Sequence, residues 1–145
     1  MKGQIAPNFT LPDENGNPVE LKSYMGRKLF LVFYPGDNTA VCTKQLCSYS
    51  SGFDDFKNSS VEILAISMDS VESHKKFKEK FKLAFPLLAD EDGKVCELYK
   101  TKGFFGVKRA IFLLDENQKI IYEDEVLPVF YKDKDDLVGV LKNLN

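Results

Sequence analysis

Two cysteines, Cys42 and Cys47, stand in the run PGDNTAVCTKQLC, which extends from Pro35 to Cys47. The run follows a short apolar stretch, LFLVFY at 29–34, and leads into a segment that reads as a helix from near Thr39. In open α/β sheets, the passage from the carboxyl end of a strand into a helix is where reactive groups collect. Cys42 falls in the first helical turn, among backbone amides that have no partner inside the helix. Those donors and the helix dipole favour a thiolate over a thiol, which makes Cys42 the candidate nucleophile. Thr39 offers a hydroxyl that either caps the helix or turns back toward the sulfur.

Thiolate supply alone does not make a fast enzyme. Moving a thiol pKa from ~8.5 to ~6.5 takes about 2.7 kcal/mol and raises its thiolate fraction at pH 7 only about 25-fold. The remainder must come from a cation or aligned donors that stabilise charge in the transition state. Arg109 is the candidate, because it opens the apolar run RAIFLLD, expected beside the first core strand, and its planar fork suits oxygen atoms.

Cys47 lies five residues beyond Cys42. In an intact α-helix the two Cα atoms would be about 9 Å apart. A disulfide spans roughly 4.4–6.8 Å between Cα atoms, so a redox pair here requires local unwinding. Ser48, Tyr49, Ser50, Ser51 and Gly52 follow directly and are poor helix formers. The third cysteine, Cys96, sits in a pattern with Val95, Leu98 and Tyr99 and reads as a small buried hydrophobe.

The elements that must position these residues follow from periodicity. The runs 29–34 and 61–67 (VEILAIS) are continuous and apolar, as buried parallel strands are. Between them lies the helical segment with Cys42, Leu46, Phe53 and Phe56. Ser70 is a candidate N-cap for a helix whose Val71, Phe77 and Phe81 share one face. Lysines cover the rest of it, and His74 is expected on that solvated side.

A shorter helix is expected around Gly93 to Lys100, directly after Pro86 and its neighbours. Ala110–Leu114 and Lys119–Glu123 read as a hairpin joined by Asp115 to Gln118. Asp133 caps a closing helix with Leu137, Val140, Leu141 and Leu144. Asn8–Leu11 and Val19–Leu21 form an added N-terminal hairpin around DENGNP. A strand–helix–strand crossover followed by an antiparallel hairpin predicts an α/β, thioredoxin-like fold. Its mixed central sheet carries helices on both faces, and residues 1–145 read as a single domain.

Composition narrows the classes. With 20 Lys+Arg against 22 Asp+Glu the net charge is −2, which argues against nucleic acid as a partner. No apolar run approaches the ~18 residues that span a bilayer, so no membrane role is expected. The first residues, MKGQIAPNFTLPDENG, lack the apolar stretch of a signal peptide. A cytoplasmic, reducing setting follows, in which the cysteines are thiols rather than structural disulfides.

At PGDNTAVC the sequence resembles the peroxiredoxins, whose signature is Pro, three residues, Thr or Ser, two residues, then Cys. The C-x4-C spacing of Cys42 and Cys47 resembles the bacterioferritin comigratory protein (PrxQ) subfamily. Further similar stretches are APNFTLPDENGNPVEL, SHKKFKEKFKLAFPLLADEDGKV and GVKRAIFLLDENQKI, together covering residues 5 to 121. The resemblance implies a peroxidase in which Cys42 attacks hydrogen peroxide or an organic hydroperoxide and becomes a sulfenic acid. It further implies that Arg109 stabilises the peroxide, Thr39 hydrogen-bonds sulfur and substrate, and Pro35 shields the sulfur. Cys47 would be the resolving cysteine of an intramolecular disulfide, reduced by thioredoxin or a similar thiol donor. No metal or organic cofactor is implied, and the subfamily resemblance points to a monomer. Ala40-Val41 stand where the subfamily often has Pro-Gly, Gln45 where it often has Glu, and Gly36 where Lys is common.

Three other readings compete. A thioredoxin-like thiol-disulfide oxidoreductase shares the fold, but such enzymes favour C-x-x-C, across one helical turn. A metal-binding module would use Cys42, Cys47, Cys96 and His74, without the matched second pair that zinc sites prefer. A partner-binding module would use the lysine-rich helix or the aromatic groups Phe104-Phe105 and Phe130-Tyr131, which also fit a site mouth or a dimer contact.

Overall fold

The computed structural model describes residues 1–103, 106–126 and 130–143. The chain opens with the expected hairpin, β1 (Thr10–Pro12) paired antiparallel to β2 (Pro18–Glu20). A 3-10 turn at Leu21–Tyr24 leads to β3 (Lys28–Phe33), α1 (Ala40–Ser51), α2 (Phe53–Asn58), β4 (Val61–Ser67) and α3 (Val71–Phe81). After these come β5 (Leu87–Ala89), α4 (Lys94–Leu98), the short pair β6 (Lys102–Gly103) and β7 (Gly106–Val107), then β8 (Arg109–Leu114) and β9 (Ile120–Val126). The last element is α5 (Lys134–Lys142).

Five strands form one sheet in the order β5-β4-β3-β8-β9. β3, β4 and β5 run parallel, and β8 and β9 are antiparallel, which gives the mixed thioredoxin-like sheet expected. The strand period of two divides the core. Leu29, Leu31 and Phe33 pack on one side with Val95, Cys96, Tyr99 and the N-terminal hairpin. Phe30, Val32 and Tyr34 pack on the other with Cys42, Leu46, Phe56, Phe77 and Leu137. Helices therefore cover both faces: α4 on the first, and α1, α2, α3 and α5 on the second.

The caps sit where the residue types placed them. Ser70 accepts a hydrogen bond from the Ser73 amide, and Asp133 forms a reciprocal capping box with Asp136. Two features differ from expectation. β5 fills three residues between Pro86 and Asp90, too short a run to show a period, and it pairs in parallel with β4. The single helical segment expected after Thr39 breaks at Gly52, where a Cβ would overlap the Lys134 side chain of α5. Phe104-Phe105 and Leu144 lie outside the described residues. Among the described residues, no helix is long and apolar enough to cross a membrane.

Candidate active site

Cys42 is the third residue of α1 and is fully buried. Its sulfur faces Arg109, and the sheet register explains why. Ala110 pairs with Phe33, so the start of β8 lies beside the end of β3 that feeds the loop to α1. Ala110 and Phe112 face the α4 side, and Ile111 faces the α1 side. By the same alternation Arg109 turns toward α1. Its Nη2 donates to Cys42 Sγ at 3.1 Å, and its side chain is almost wholly buried.

The other terminal nitrogen of Arg109 donates to Oε1 of Gln45. Gln45 is buried one helical turn beyond Cys42, and its amide donates to the Tyr49 hydroxyl at 3.0 Å. Tyr49 in turn donates to the Lys132 carbonyl, and burial pushes its phenol far above the ordinary range, so it stays a donor. Gln45 and Tyr49 were not singled out as site residues from the sequence. The signal available was spacing, since residues three and seven positions after Cys42 share its helical face.

Thr39 occupies the N-cap position in an extended conformation, but its side chain caps no amide. Its hydroxyl donates instead to the Gly36 carbonyl at 3.1 Å, because the turn through Asn38 (φ 62°) folds that carbonyl back over the helix start. Pro35 lies two residues past the end of β3 and is half-buried. Cys47 is half-buried on the same unbroken helix as Cys42, and burial pushes its thiol up. All three thiols are free.

Cys96 lies on the opposite face of the sheet from Cys42. Burial, then a hydrogen bond from its thiol to Asp90, pushes it well above the ordinary thiol range. The ligand set imagined for a metal module, Cys42, Cys47, Cys96 and His74, is therefore not gathered at one point. A cavity of about 340 Å³ beside Met1, Tyr99, Ala110 and Phe112 is also on the α4 face, away from Cys42.

His74 corrects an expectation. It is fully buried rather than on the solvated side of α3. The residue lies three positions before Phe77 and seven before Phe81, so it belongs to the apolar stripe despite its lysine neighbours. Its Nδ1 meets Asp37 Oδ2 at 2.7 Å, and its Nε2 meets the Leu88 carbonyl at 3.0 Å. Asp37 also accepts from the Tyr34 hydroxyl at 2.6 Å and the Ser73 hydroxyl at 2.8 Å. Burial, then the Asp37 carboxylate, holds the Tyr34 phenol well above its usual range. The Asp37 amide donates to Asp69, which also accepts from Ser67.

The family model described as "AhpC/TSA family" matches residues 2–123. Peroxiredoxin Q, chloroplastic, of Oryza sativa subsp. japonica is 41% identical over 132 residues, covering 88% of this chain and 61% of the rice protein. The chain thus spans about three fifths of the plant relative's length. Peroxiredoxin Bcp of Escherichia coli (strain K12) is 38% identical over 132 residues, covering 84% of this chain and 85% of that protein. Among solved structures, the Xanthomonas campestris bacterioferritin comigratory protein, studied for alkyl peroxide reduction, superposes with a TM-score of 0.86. It is 26% identical and covers 94% of this chain and 91% of that one.

Proposed function

The chain belongs to the AhpC/TSA family, among its peroxiredoxins of the Bcp/PrxQ type, and from that membership we propose that it is a thiol-dependent peroxidase working through Cys42 and Cys47. The observation that carries the proposal is the Arg109 guanidinium, 3.1 Å from a cysteine sulfur in the first turn of a helix. Helix amides and a buried cation act together on one sulfur, where negative charge is held before attack and passes to the leaving oxygen during it.

In the proposed cycle the Cys42 thiolate attacks one oxygen of a peroxide R–O–O–H. An S–O bond forms as the O–O bond breaks, and the departing oxygen takes a proton to leave as water or an alcohol. Cys42 is then a sulfenic acid. Cys47 attacks its sulfur, the S–O bond breaks, water leaves, and a Cys42–Cys47 disulfide results. An external dithiol of the thioredoxin class reduces this by exchange, ending as its own disulfide. The Bcp/PrxQ resemblance supports Thr39 as a hydrogen-bond partner of sulfur and substrate, and Pro35 as a shield of the sulfur.

The unbroken α1 supports the view that the second step needs unwinding, because Cys42 and Cys47 are held five residues apart on a regular helix. We read residues 1–145 as one domain, and the Bcp/PrxQ resemblance supports its acting as a monomer. Three free thiols suit a reducing compartment such as the cytoplasm. The test is peroxide consumption with thioredoxin and its reductase supplied. Cys42→Ser should abolish turnover, and Cys47→Ser should keep one fast oxidation of Cys42 but lose recycling. Turnover that survives Cys42→Ser overturns the assignment.

A further inference from the structure

The loop Gly36–Thr39 joins β3 to the helix that carries Cys42, and one of its residues is held from outside. The Asp37 amide donates to Asp69 Oδ2 at 2.8 Å. Its carboxylate accepts from Tyr34, Ser73 and His74, and its side chain is only 1% exposed. His74 reaches onward to the Leu88 carbonyl of β5. That carbonyl can only accept, so Nε2 carries a proton. A further proton lies between Nδ1 and Asp37, shared by the pair, because two bare lone pairs would repel at 2.7 Å.

Asp37, Asp69 and His74 also bring ligand-type atoms within 4.8 Å of one another. Hydroxyl and amide donors from Tyr34, Ser67, Ser73 and Asp37 already engage these carboxylates, so the cluster is built to hold a loop rather than a cation. None of the groups that hold Asp37 belongs to α1. They come from Tyr34 directly after β3, from the turn after β4, and from α3, none of which must move for Cys42 to meet Cys47.

We propose that the buried Asp37–His74 pair is a positioning device for peroxide attack: it anchors the Gly36–Thr39 loop, and through it Thr39 and the first turn bearing Cys42, against α3 and β5. The link to the site is short, since the Thr39 hydroxyl donates to Gly36, the residue before Asp37. Loosening Asp37 displaces both the Thr39 hydroxyl and the start of the helix that carries Cys42. The anchor lies upstream of Cys42, so it acts on oxidation of that sulfur and not on the later unwinding toward Cys47. This proposal rests on the peroxidase reading above.

The test measures two rate constants by stopped flow, Cys42 oxidation by hydrogen peroxide and the disulfide formation that follows. The variants are His74→Gln, Asp37→Asn and the milder Ser73→Ala, each assayed well below its own melting temperature. Oxidation should slow by about tenfold or more in His74→Gln and Asp37→Asn, and by less in Ser73→Ala. Disulfide formation should stay within about twofold of the parent. A merely structural role would lower the melting temperature and leave both rate constants of the folded protein unchanged. Folded variants that oxidise at the parent rate, or whose two steps slow equally, overturn the proposal. Should His74→Gln not fold, Asp37→Asn and Ser73→Ala decide the matter by the same criteria. A parent protein whose Cys42 ignores peroxide overturns the peroxidase reading itself, an outcome visible before any variant is made.

Discussion

Arg109 and Cys42 are 67 residues apart in sequence and 3.1 Å apart in space, joined by the antiparallel pairing of β3 with β8. The guanidinium is a fixed, buried donor aimed at the sulfur, so it needs no reorganisation as charge moves from sulfur to oxygen. Arg109→Met should lower the rate constant for Cys42 oxidation by about 10²–10³, read by peroxide competition kinetics. Arg109→Lys should recover little of it, because an ammonium cannot serve the sulfur and Gln45 with two parallel donors.

Gln45 supports that arginine from behind. Gln45→Ala removes the acceptor of one guanidinium nitrogen and the donor to Tyr49 in a fully buried place. The loss should cost about 1–3 kcal/mol in urea denaturation and slow Cys42 oxidation as the guanidinium shifts. Tyr49→Phe, which loses the hydroxyl that donates to the Lys132 carbonyl and accepts from Gln45, should cost about 1–3 kcal/mol.

Helix strength in α1 should set the fate of the sulfenic acid. Ser51 is exposed in the last turn, and its hydroxyl bonds back to the Ser48 carbonyl. Ser51→Ala strengthens the helix by about 0.5 kcal/mol and should slow disulfide formation about twofold. Sulfinic acid at Cys42 should then accumulate at lower peroxide, read by mass spectrometry.

Cys47 carries a pH signature. Burial raises its thiol in the folded chain, so the fold favours the protonated form. The corresponding stability is present below the unfolded thiol pKa and is lost as pH rises through the higher folded value. In a Cys42→Ser, Cys96→Ser background, alkylation of Cys47 should keep rising with pH beyond the point where the urea-unfolded chain levels off. Coincident folded and unfolded curves would contradict this.

Much of the arrangement is legible in sequence because local chemistry fixes it. Cys42 at a strand-to-helix passage, Ser70 and Asp133 as caps, and Arg109 at the head of an apolar strand all sit where residue type and period place them. β5 escaped because three residues carry no period, whereas the break at Gly52 falls at the end of a run of poor helix formers. His74 was legible by its spacing to Phe77 and Phe81, but a polar residue among lysines reads as exposed until its partner is known. That partner, Asp37, is a contact no local pattern encodes.

The central claim, one sulfur oxidised and one resolving it, is tested most directly by intact mass and free-thiol count before and after one equivalent of hydrogen peroxide. The account predicts a loss of about 2 Da within seconds, with a disulfide that maps to Cys42 and Cys47 and leaves Cys96 free. An unchanged mass with all 3 cysteines still titrating as thiols would contradict it.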